Sequence, residues 1–155
     1  MSPILTGLEP FIVAAKRACY AGGGGIAQSC RVGSHDLVHE DGDWSYRDSY
    51  FGGTDFLGQE VVWLESEPVW AMNYYGAVLR AHLIDSARAG ATIKAALSAL
   101  YREGRFLGGF EWKGPHGRYV DSSGGDHTRF QGRESIFVDA DEAYRLDYFG
   151  GLIRR

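Results

Sequence analysis

Apolar residues recur along this chain in two rhythms, and the switches between them mark out its elements. Residues 8–20 carry Phe11, Ala14, Ala15 and Ala18 at helical spacing, with Lys16 and Arg17 off that face and Pro10 suited to a first turn. The run Ala21-Gly22-Gly23-Gly24-Gly25 ends this helix, because successive glycines do not propagate one. No Gly-Lys-Ser/Thr follows the run and a helix precedes it, so it reads as a connector and not as a phosphate cradle. A second helix is predicted over 85–103. There Ile93, Ala96, Leu97 and Leu100 recur at i, i+3, i+4 and i+7 behind Asp85 as cap, and Gly104 ends the run. Elsewhere the pattern alternates. Strands are expected over 26–32, 36–40, 43–51, 56–64 and 69–75, then over 110–113, 117–122, 130–139 and 143–152.

The second set of strands repeats the first. Residues 54–79 shifted by 74 lie without a gap on 128–153, matching Phe56 to Phe130, Gly58 to Gly132, Glu60 to Glu134, Tyr74 to Tyr148 and Gly76 to Gly150. Upstream, Tyr46, Asp48, Ser49 and Gly52 meet Tyr119, Asp121, Ser122 and Gly125 at a shift of 73. Aligning Tyr101 with Tyr20 also brings Ile93 onto Ile12, and Ala95 and Ala96 onto Ala14 and Ala15. The expectation is an α+β fold: a helix plus an antiparallel β-meander, twice, as one pseudo-twofold domain over 1–155 with repeats at about 8–80 and 85–155.

Composition narrows the class. Twenty-two glycines and 14% aromatic residues suggest tight turns and large side chains lining a core or cleft. A net charge of -4 gives no general attraction to nucleic acid. No apolar run has the length of a membrane span and no signal peptide opens the chain, so neither a membrane nor secretion is expected. Cys19 and Cys30 form no C-x-x-C pair; a reducing cytoplasm, no disulfide and no cysteine metal site follow.

Each repeat sets polar groups into strands that are otherwise aromatic: Asp48, Glu60 and Asn73, then Asp121, Glu134 and Asp147. Glu60 shares strand parity with Phe56, Val62 and Leu64, and Asp48 with Trp44, Tyr46 and Tyr50. Carboxylates on an apolar face are costly unless hydrogen-bonded or open to a cavity, and their pKa values rise there, which suits acid–base chemistry. Bonding to backbone and tyrosine hydroxyls across the repeat axis is the structural alternative. The candidate catalytic residues are Glu60, Asp48 and Glu134, with Glu60 ahead because its neighbours are richer. Tyr46, Tyr50, Trp63, Trp70, Asn73, Tyr75, Asp121 and Asp147 are the candidate substrate contacts, with no metal and no cofactor. Arg47 has opposite parity to Asp48, so a ligand cation or water is the expected partner of these acids. His127 lies in a loop beside the Glu134 strand, as a surface residue or a proton shuttle.

The run Tyr46-Arg47-Asp48-Ser49-Tyr50-Phe51-Gly52-Gly53, with Phe56–Trp63 and Pro68–Gly76, resembles an uncharacterised bacterial domain family. That family is best known as the C-terminal half of XRE-type helix-turn-helix regulators, with free-standing members. The resemblance implies a small α+β domain and transfers no catalytic residue. Only about ten residues precede the first helix, so a DNA-binding half is not expected here. The functional expectation is a cofactor-free acid–base lyase, cyclase or isomerase acting on a small polar cation such as an amine or guanidine compound. The alternative is a small-molecule sensor without turnover. Either reading leaves a homodimer open.

Overall fold

The computed structural model describes residues 3–21 and 24–155. Gly22 and Gly23 of the connector lie outside the described residues. Helix α1 spans Pro3–Lys16 and runs into a π-helical turn, Arg17–Ala21. It starts earlier than its apolar spacing suggests, so Pro10 sits in its interior, where the missing N–H forgoes one helical bond. Helix α2 spans Ser86–Arg102. The Asp85 side chain accepts from the Arg88 N–H at 2.8 Å, and Gly104 leaves the helix at a φ of 77°.

The described residues form nine strands besides: β1 (Ile26–Ala27), β2 (His35–Asp41), β3 (Trp44–Gly52), β4 (Asp55–Leu64), β5 (Glu67–Val78), β6 (Phe110–Gly114), β7 (Gly117–Asp126), β8 (Arg129–Val138) and β9 (Asp141–Leu152). The strand expected over 26–32 keeps two residues. A turn closed by the Ser34 N–H on the Arg31 carbonyl replaces the rest.

All nine pair antiparallel in one sheet, in the order β1-β2-β3-β4-β5-β9-β8-β7-β6. The α+β expectation is therefore wrong: this is a sheet-dominated fold. The two meanders do not pack as separate helix-backed layers. They meet edge to edge through β5 and β9, and the two helices only cover parts of one sheet. The ladders nevertheless repeat. Asp48 stands opposite Glu60 and Asp121 opposite Glu134, and register shifts fall after Val62 in β4 and after Ile136 in β8. At the seam Tyr74 stands opposite Tyr148, its own counterpart.

Side-chain alternation gives the sheet one covered face. Tyr46, Val62, Trp70, Met72 and Tyr74 are buried on it from the first meander, and Tyr119, Ile136, Tyr144, Leu146 and Tyr148 from the second. Over them lie Leu8, Ile12 and Ala15 of α1 and Ala96 and Leu100 of α2. Helix α1 contacts β2 and β3, while α2 contacts β6, β7 and the π turn. On the opposite face Leu57, Tyr75 and Phe149 are exposed. Among the described residues no helix is long and apolar enough to cross a membrane.

Candidate functional site

Two glycines open the site. Gly58 pairs with Tyr74 across β4 and β5, and a Cβ on Gly58 would lie 2.3 Å from the Tyr74 hydroxyl. Without that atom the ring lies across the strand, and its hydroxyl donates to Asp48 Oδ1 at 2.6 Å. Gly132 does the same for Tyr148, which donates to Asp121 Oδ1 at 2.7 Å. One pair along, Tyr46 donates to Glu60 Oε1 at 2.5 Å and Tyr119 to Glu134 Oε1 at 2.6 Å. Each repeat thus sets an Asp–Glu pair on the covered face, each acid held by a tyrosine.

The helices make the two pairs different. Lys16, at the end of α1, brings its Nζ to 2.9 and 3.0 Å from the two Glu60 carboxylate oxygens. One turn on, Tyr20 donates to Asp48 Oδ2 at 2.5 Å. Asp48 and Glu60 are thereby satisfied on both sides. In the second repeat, among the described residues, Asp121 Oδ2 is buried and has no hydrogen-bond partner.

Between this floor and α2 lies a cavity of about 450 Å³, lined by all four carboxylates and by Lys16, Tyr20 and Tyr50, with an apolar wall from Ile93, Leu97 and Leu146. Burial pushes Asp48 up to about 7, with Glu60 adding to it and the bonds from Tyr20 and Tyr74 opposing. Burial, then the charge of Asp121, raises Glu134 to about 7 against the bond from Tyr119. Asp121 is also raised, by burial, with Tyr148 opposing. Burial and the neighbouring acids raise Tyr20, Tyr46 and Tyr119 far above the usual phenol range, so they serve as donors. Two acids that exchange protons near neutrality, fixed among tyrosine donors at an apolar cavity, can transfer protons to and from a bound molecule.

Of the residues singled out from sequence, Asp48, Glu60, Asp121, Glu134 and Tyr50 line the cavity, and Tyr46 lies beneath it as the donor to Glu60. Trp70 is fully buried core, its indole N–H donating to the His127 carbonyl at 2.9 Å. Trp63 is half-buried, beside the register shift, and does not line the cavity. Asn73, Tyr75 and Asp147 are not brought to the site. Trp70, Met72 and Tyr74 take the covered face of β5, so their odd-numbered neighbours point away from it. Asn73 accepts there from Gln59 at 2.9 Å, Asp147 pairs with Arg133 at 2.7 Å, and Tyr75 is half exposed. His127 lies with its Nδ1 3.4 Å from Glu9 Oε2 and not among the cavity acids.

The partner of Glu60 is also corrected: it is a lysine of the chain itself. Lys16 is buried in the row Leu8, Ile12, Lys16, spaced i, i+4, the inward row of α1, and Tyr20 follows it in the π-helical turn. That row was a readable sign, masked by the alanine stripe beside it. Tyr74 and Tyr148 were equally readable, as the repeat's identical tyrosines sixteen residues beyond its identical glycines.

Residues 48–153 match the model of a family described as a domain of unknown function, DUF5680. No curated protein and no solved structure matches the chain. The matched region takes in all four cavity carboxylates and stops short of Lys16 and Tyr20.

Proposed function

The chain belongs to the DUF5680 family, and we propose that the cavity under α2 is its working part, binding a small cationic metabolite and moving protons on it without a cofactor. The observation that carries this reading is Asp48: a buried carboxyl at the cavity wall, gripped by Tyr20 and Tyr74 and pushed up to about 7. Such a group takes a proton at neutral pH and returns it. Glu60 is instead committed to a buried ion pair, with both of its oxygens within 3.0 Å of the Lys16 ammonium. Its part is to hold the ammonium and to raise Asp48 by its charge. Glu134, also at about 7, supplies the complementary acid. In a dehydration or cyclisation Asp48 takes the substrate proton while Glu134 protonates the departing hydroxyl, which leaves as water. In an isomerisation the two exchange protons at neighbouring atoms. Four carboxyl groups line the cavity with two lysines, Lys94 and the Glu60-paired Lys16, and this excess of acids favours a cationic substrate such as an amine or guanidine compound.

The same cavity without turnover is the second reading: a sensing module akin to the ligand-binding half of XRE-type regulators. The Lys16–Glu60 pair favours it, because an acid already held by a lysine is withdrawn from proton abstraction. A panel of small amines and guanidines, followed by NMR for turnover and by thermal shift for binding, separates the two. For an enzyme, Asp48→Asn retains binding and lowers turnover by about 10²-fold or more. Binding of an unchanged ligand, weakened by the same substitution, identifies the sensor. A panel in which nothing binds rejects both.

A further inference from the structure

The two Asp–Glu pairs differ by two donors, and the difference identifies what the second pair takes. In the first repeat Asp48 accepts from Tyr74 and Tyr20, and Glu60 accepts from Tyr46 and from the primary ammonium of Lys16. In the second repeat Tyr148 and Tyr119 reproduce the sheet-borne donors, and Asp121 Oδ2 remains without a partner among the described residues. The helix-borne donors are the missing ones. The alignment that brings Tyr101 onto Tyr20 brings Leu97 onto Lys16. Both α2 residues are buried and line the cavity, and Tyr101 does not reach Asp121 Oδ2. Where α1 carries an ammonium toward Glu60, α2 thus presents an isobutyl group. Of the other cations nearby, Arg105 is turned to the Leu107 and Gly109 carbonyls at 2.6 and 2.9 Å, and Lys94, exposed on α2 and also lining the cavity, makes no bond to Asp121 Oδ2.

We propose that Asp121 is the anion of a cation subsite in the cavity and, with the side-chain carbonyl oxygen of Glu134 beside it, takes a primary ammonium group of the ligand, in the place that corresponds to Lys16 in the first repeat. This rests on the reading of the cavity as a cation site and makes it specific. Asp121 is only 4% exposed, and an acid so buried with a free oxygen is costly until a donor meets it. A primary ammonium has three N–H donors, enough for Asp121 Oδ2 and Glu134 together. The alkyl chain behind it meets Ile93, Leu97 and Leu146, the apolar side of the same cavity.

The test titrates the full chain with n-butylammonium, n-butylguanidinium and 1-butanol by NMR. The expected result is that the ammonium binds at least tenfold more tightly than the other two. Asp121→Asn should abolish that preference while leaving butanol binding unchanged, and Glu134→Gln, which keeps a carbonyl oxygen, should retain it, a selectivity readout that a merely structural role would not move. Leu97→Lys keeps both acids and introduces a tethered ammonium; it should remove butylammonium binding, and this arm decides the matter if the acid variants do not fold. Equal or tighter binding of the guanidinium or the alcohol overturns the ammonium subsite while leaving the cavity a ligand site. Butylammonium binding that survives Leu97→Lys overturns it likewise. If none of the three binds, the subsite and the cation reading of the cavity fall together.

Discussion

At the scale of single residues, Lys16 is the side chain on which most depends. It is about 5% exposed, against 2% for Glu60, so removing either partner strands a buried charge or a buried polar group. Lys16→Met is expected to cost about 3–5 kcal/mol in urea unfolding, and adding Glu60→Gln should recover most of it. The raised acids make a second prediction, about pH. Asp48 and Glu134 titrate near 7 in the folded protein against 3.8 and 4.5 as ordinary carboxyls, so the native state holds protons that the unfolded chain has released. Their contribution is therefore greatest below about pH 4 and is lost as pH rises through about 7, a span on the order of a few kcal/mol. Unfolding midpoints at about pH 5 and about pH 8 should show this fall, and Asp48→Asn with Glu134→Gln should flatten it; an unchanged slope in the double variant would count against the assignment. The acids themselves were legible in sequence, because a carboxylate at an apolar parity within a repeat is conspicuous. Their cation was legible only as an inward lysine, and its pairing was not: Lys16 lies 44 residues from Glu60, and nothing local ties helix to strand.

Among the elements, α2 was the most legible, since cap, apolar spacing and terminal glycine agreed. The strands of the meanders were legible too, except the 26–32 segment, where side-chain bonds of Ser34 to Arg31 and Asp36 favour a turn. Which face each strand buries was harder to read. Tyr75 and Phe149 are as apolar as Tyr74 and Tyr148, so composition did not choose between parities in β5 and β9. The glycines across the ladder did, because a tyrosine can lie flat only over a residue without a Cβ. Gly132→Ala would put a methyl carbon 2.2 Å from the Tyr148 ring and push the hydroxyl away from Asp121. The expected loss is about 1–3 kcal/mol. Tyr148→Phe added to it should cost little more, since the bond is already gone; additive losses in that double-mutant cycle would show that the glycine serves something else.

For the molecule as a whole, the union of two meanders into one sheet was the least legible feature. Every other neighbouring pair of strands is consecutive in the chain, but β5 and β9 pair residues between 66 and 82 positions apart, from Val78 opposite Tyr144 to Trp70 opposite Leu152. This seam sets an order for folding. Hairpins close over short loops and form early, whereas a ladder across so long a separation forms late. Until it does, each half carries a bare twelve-residue strand as its edge. Bare edges template pairing between chains. Because Tyr74 faces its own counterpart, the seam is self-complementary, so the edge of a second molecule fits as well as the edge of the same one. Refolding followed by tryptophan fluorescence should show a slow final phase as Trp70 is enclosed at the seam. Swapped dimers and larger species should rise with chain concentration during that phase, as read by size-exclusion chromatography. A refolding yield independent of concentration would mean that the seam closes before a second chain can reach it.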